Sequence, residues 1–125
     1  MTFEFVFPQF LQSNLAKPNT VSPNKVPQSG EPPFLVYQLV TAQRESTHDG
    51  NDQLVWAEYQ FDCYAKKKQS AVEVMQELRE LIEDYDGYIN GVRVQGCFLI
   101  DQFDTYEENS KLYREEREYR IQYKE

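Results

Sequence analysis

Gln53-Leu-Val-Trp-Ala-Glu-Tyr-Gln-Phe-Asp-Cys-Tyr-Ala65, followed after three lysines and Gln69 by Ser70-Ala-Val-Glu-Val-Met-Gln-Glu-Leu-Arg-Glu-Leu-Ile-Glu-Asp-Tyr-Asp86, holds both of the periodicities that define secondary structure. In the first piece Val55, Ala57, Tyr59, Phe61 and Cys63 alternate with Trp56, Glu58, Gln60, Asp62 and Tyr64. Period two describes a strand with one core face and one wetter face. In the second piece Ala71, Val74, Met75, Leu78, Leu81, Ile82 and Tyr85 recur three and four apart, which describes a helix with one buried stripe. Ser70 with Glu73 has the spacing of a capping box, and Asp86-Gly87 is the expected stop. A strand running directly into an amphipathic helix sets the class as α+β.

Outward from this unit, Phe34-Leu-Val-Tyr-Gln-Leu-Val-Thr41 is rich in aromatic and β-branched residues and reads as the preceding strand. A polar loop is expected over 44–52, with Asp49-Gly50-Asn51 as its turn. After the helix, residues 88–100 read as a strand in which Asn90-Gly91 signals a hairpin or kink and Gly96 a bulge. Asn109-Ser110 marks the turn before a closing strand over 112–124. All six prolines lie at or before position 33, where they remove donors and fix φ. The expected organisation is an N-terminal segment, residues 1–33, made of a short apolar piece and a proline-rich arm, ahead of a domain over 34–125. The expected fold is α+β: an antiparallel sheet of about four strands, in the order arm-β-β-α-β-β, with one long helix packed on one face. Trp56 and Tyr64 fall on the sheet face that the helix does not cover.

Length and charge exclude much. The chain has 125 residues, 40% of them hydrophobic and 14% aromatic, enough for one core without disulfide or metal. Thirteen basic against 21 acidic residues give a net charge of −8. Since Lys17 and Lys25 balance Glu4 and Glu31, all of that net charge belongs to residues after Pro33. This disfavours a protein that grips nucleic-acid phosphates or anionic lipid. Stacking of bases on the aromatic strand is opposed by Glu58 and Asp62 beside Trp56. No run approaches the roughly 18 apolar residues of a membrane span, and the first residues lack the basic start of a signal peptide. Cys63 and Cys97 lack metal or redox spacing and read as core residues. His48 is the single histidine, so a catalytic triad would have to recruit it from the polar loop beside Asp49-Gly50 and only all-oxygen metal sites are left, and Glu115 and Glu116 point to opposite strand faces. No enzyme activity, catalytic residue, metal ligand or cofactor is expected. What remains is assembly through an open sheet face, strand edges and an arm.

Three stretches support a family resemblance. Val26-Pro27 with Glu31-Pro-Pro-Phe-Leu-Val-Tyr-Gln-Leu-Val40, then Trp56 to Ala65 leading into Ser70-Ala-Val-Glu-Val-Met75, then Asp101-Gln-Phe-Asp-Thr-Tyr-Glu-Glu108 with Lys111-Leu-Tyr-Arg114 and Tyr119-Arg-Ile-Gln-Tyr123, resemble in order and spacing the tail-completion proteins of long-tailed bacteriophages. The resemblance spans about residues 26–124. It implies a non-enzymatic virion protein of the tail or neck, assembled in the bacterial cytoplasm, that closes the head-proximal end of the tail. It implies a ring, a hexamer, in contact with the tail tube protein and the head connector or stopper, with DNA passing through unbound. Lys17, Lys25, Pro27, Trp56, Tyr64, Arg114 and Arg120 are the candidate interface residues. Asp101, Asp104, Glu107 and Glu108, or the acids on the helix's outer face, are the candidates for lining the passage. A head-completion or stopper protein of the same neck region, and a small binding module built on a ferredoxin-like sheet, are the alternatives.

Overall fold

A computed structural model describes residues 2–46 and 53–125. Eight elements follow one another: α1 (Phe3–Asn14), β1 (Thr20–Pro23), β2 (Phe34–Ser46), β3 (Gln53–Ala65), α2 (Lys68–Ile82), β4 (Gly87–Ile89), β5 (Val92–Glu107) and β6 (Leu112–Lys124). The strands form one mixed six-stranded sheet in the order β1-β2-β3-β6-β5-β4, parallel at β1–β2 and antiparallel elsewhere. Register shifts at Leu39/Thr41, Val94/Gly96 and Leu99/Asp101 mark bulges, which bend strands, and the sheet curls into a half-barrel. The four-stranded antiparallel sheet with one long helix is therefore corrected to six strands, one of them parallel, and two short helices.

The additional helix, α1, forms from the short apolar piece at the start of the chain. Phe3, Val6, Phe7 and Leu11 are buried along one face of α1, although Pro8 lies inside the helix. An interior proline costs about 3 kcal/mol, while four buried side chains contribute roughly 1.5–3 kcal/mol each, so burial wins. Phe3 stacks on Tyr123 at 4.1 Å and on Phe7 at 4.8 Å, and Phe7 meets Tyr59 edge-on at 5.2 Å. At its amino end the Phe3 N–H donates to Glu125 Oε2 at 2.9 Å, and Glu125 also pairs with Arg44 at 2.7 Å. A carboxylate suits the positive end of a helix. Beyond α1, the N–H groups of Ala16 and Lys17 donate to the Glu77 carboxylate of α2, and β1 forms an edge strand against residues 34–37.

α2 starts at Lys68, with Lys67 at its N-cap making no side-chain bond, so the Ser70–Glu73 capping box does not form. Its end also differs from the expected stop at Asp86-Gly87. Asp84 turns left-handed at φ 61° and donates its N–H to Cys97 O at 2.8 Å, tying the chain to β5 one turn earlier. Ala71, Val74, Met75, Leu78 and Ile82 of α2 join one core with α1 and the odd-numbered face of β3, so both helices occupy the same side of the sheet. Asn90 and Gly91, both at positive φ, make the two-residue turn between β4 and β5. Gly96 stands under the Phe98 ring, whose nearest atom would lie 2.8 Å from an added Cβ. β2 continues to Ser46, past the expected loop start at Arg44, while the Asp49-Gly50-Asn51 turn and His48 lie outside the described residues.

Candidate functional site

Pairing registers place Phe34, Val36, Gln38, Thr41 and Gln43 of β2, the even residues 54–64 of β3, and Arg114, Glu116, Glu118, Arg120 and Gln122 of β6 on the face turned away from the helices. On this face Arg114 Nε donates to Asp62 Oδ1 at 3.0 Å, and the guanidinium also reaches Glu107 at 3.6 Å and Glu116 at 3.5 Å. It lies 5.7 Å from the centre of the Tyr64 ring. Asp62 and Glu116 are 5% and 7% exposed, unusual for carboxylates on a sheet face without helices. Burial first, and then the Asp62 carboxylate beside it, push the Glu116 carboxyl up to about 7, with Arg114 pulling against them. Further along, Arg120 pairs with Glu58 at 2.9 Å. These two residues, with Trp56, Thr41, Gln43 and Glu45, line an open groove of about 280 Å³.

Of the seven interface candidates, Trp56, Tyr64, Arg114 and Arg120 are thus brought together on one face. Lys17, Lys25 and Pro27 are not among them. Lys17 follows α1, and Lys25 and Pro27 follow β1 at the sheet margin. The four acids lie beyond residue 100, where the sequence reading ended the strand, yet they sit mostly on strand, because β5 continues to Glu107 and only 108–111 turn. Asp104 pairs with Lys68 at 2.7 Å on the helix side and Glu107 with Arg114 on the other. Among the described residues Asp101 and Glu108 have no ion pair. Of the helix acids, Glu77 holds Ala16 and Lys17, and Glu83 pairs with Arg79 and accepts from Tyr119. They serve the fold as well as the surface.

The distal half of β5 carries a feature that sequence reasoning missed. β4 pairs with β5 only as far as Val94. Beyond it β5 has β6 on one side and no strand on the other among the described residues. Phe98, Leu99, Ile100, Phe103 and Tyr106 are 39–52% exposed along this free edge, divided between the two sheet faces. Such a strip of exposed apolar side chains along an open edge suits a contact surface. The signal was the run Cys97-Phe-Leu-Ile100, which breaks alternation: a strand apolar on both faces is covered on both, or waits to be covered. Neither cysteine contributes reactivity, since both are buried and burial pushes the Cys63 thiol up to about 12. No helix among the described residues is long and apolar enough to cross a membrane.

Comparison with known proteins gives the following. The family described as Tail completion protein gp17 matches residues 13–124. No curated protein matches the chain. Among solved structures, a chain from the "Virion of native gene transfer agent (GTA) particle" superposes with a TM-score of 0.71 at 10% identity, covering 98% of this chain and 95% of that one. At that identity the likeness is one of fold, and it extends over essentially both whole chains.

Proposed function

The chain belongs to the tail completion protein gp17 family and is a structural protein of the bacteriophage virion tail, and from that premise we propose that it closes the head-proximal end of the tail as a ring and joins it to the head connector. The observation that carries this reading is the apolar strip Phe98–Tyr106 on an open strand edge, in a body whose core is otherwise closed. Such a strip needs a protein partner, and a heterologous contact repeated by rotation closes a ring. Six copies is the number that the family resemblance implies. The helix-free face, with Trp56, Tyr64, Arg114 and Arg120, is the surface offered to the tail tube protein or the connector. Asp101, Asp104 and Glu107 on the distal half of β5 and Glu108 in the turn after it are the acids we assign to the DNA passage. Each Lys or Arg contact with phosphate would add affinity, so an acidic wall lets DNA slide without holding it.

Electron microscopy of particles from a phage lacking this chain tests the reading. Filled heads and separate tails, rejoined when the chain is supplied, are expected. Normal infectious particles would overturn it.

A further inference from the structure

We propose that the sheet continues from one copy of this chain into the next, the free half of β5 (residues 98–107) pairing with the free half of β2 (residues 38–46) of a second copy. This rests on the ring reading and specifies its contact. Among the described residues two strands have uncovered edges, at opposite sides of the sheet. β4 covers β5 only over 92–94, and β1 covers β2 only over 34–37. Three antiparallel steps, β2 to β3, β3 to β6 and β6 to β5, make β5 run opposite to β2. A neighbour related by rotation about a ring axis keeps its strand directions, so its β2 meets this β5 antiparallel, as in the internal ladders.

Charge selects this pairing over the two-fold alternatives. The free half of β5 carries Asp101, Asp104 and Glu107 and no base, so pairing β5 with β5 would set carboxylates against carboxylates. The free half of β2 carries one base, Arg44, and one acid, Glu45, and is otherwise uncharged. Pairing β2 with β2 would leave the β5 strip in water. Val40 is 46% exposed on β2, an apolar residue for the strip to cover. The free half of β5 lies toward the 107–112 turn and that of β2 toward the other end of the strands, so each step is staggered along the strand direction. Staggered strands close when tilted to the axis, as in a barrel.

Cysteine crosslinking in assembled tails tests this, with buried Cys63 and Cys97 left in place. Val40→Cys is combined in turn with Asp104→Cys, Thr105→Cys and Tyr106→Cys, each single variant serving as control, since a disulfide forms only at Cα separations of about 4.4–6.8 Å. Mild oxidation of at least one pair is expected to give a ladder of covalent multimers on non-reducing gels, with the single variants monomeric. Dimers from a single β5 variant would replace the contact with a two-fold one, and crosslinks to another protein would assign the strip to that protein. A ring visible by electron microscopy at the tail end but without ladders would overturn the edge pairing and leave the ring. Absence of any ring would overturn both.

Discussion

Glu116 is the residue whose environment departs furthest from what its position on an open sheet face suggests. It sits in the cross-strand neighbourhood of Asp62, with Arg114 two residues away on its own strand and on the same face. Its carboxyl ionises near 7 in the folded chain against an ordinary value of 4.5. The folded state therefore holds the proton more tightly than the unfolded state between those values, and stability falls as pH rises through that window. Glu116→Gln should remove that part of the fall and melt above the parent at pH 8, by on the order of several °C, with little difference at pH 4. Thermal denaturation across pH 4–8 reads it directly, and identical pH profiles would contradict it. Alternation in the sequence was enough to place Trp56 and Tyr64 on one face. The burial of Asp62 was not legible, because it depends on β6, more than 50 residues later, lying beside β3 and bringing Arg114 across it.

At the scale of elements, α1 shows burial overriding a local rule. Residues 3–14 contain a proline and have only an acid in the first turn to favour a helix start, yet the helix fills the half-barrel with Phe3, Val6, Phe7 and Leu11. Replacing Phe7 with Ala should cost about 3–5 kcal/mol, the range for deleting a buried aromatic ring. Urea denaturation measures this, and a change below 1 kcal/mol would mean that α1 is not part of the core. α2 and β3 were legible because each carries a full period of its pattern over more than a dozen residues. The ends of α2 were not, since the backbone bond from Asp84 to Cys97 closes the helix and no side-chain motif reports it. The length of β5 was missed for a related reason. Asp101 and Asp104 look like loop residues, yet an exposed edge strand tolerates acids, and charges on an edge discourage indiscriminate pairing.

At the scale of the molecule, two helices close one side of a curled sheet, and among the described residues nothing covers the other side or parts of both edges. Under the proposed ring, the net charge of −8 and the apolar strip on β5 would have separate roles, the strip in contact with protein and the acids facing DNA without holding it. An uncovered sheet face could be read from the sequence, because alternation reports which face is wet, whereas the expected four-stranded antiparallel sheet under one long helix gives way to a mixed six-stranded curled sheet with two short helices. Strand order could not be read, because adjacency between β3 and β6 or between β1 and β2 is set by long-range packing that leaves no periodic trace. The most direct test of a ring at the head-proximal end of the tail is an averaged electron cryomicroscopy map of the virion neck. Copies of this six-stranded half-barrel forming one closed ring between tail tube and connector are predicted. A map placing the chain elsewhere in the particle, or as a single copy off the axis, would contradict it.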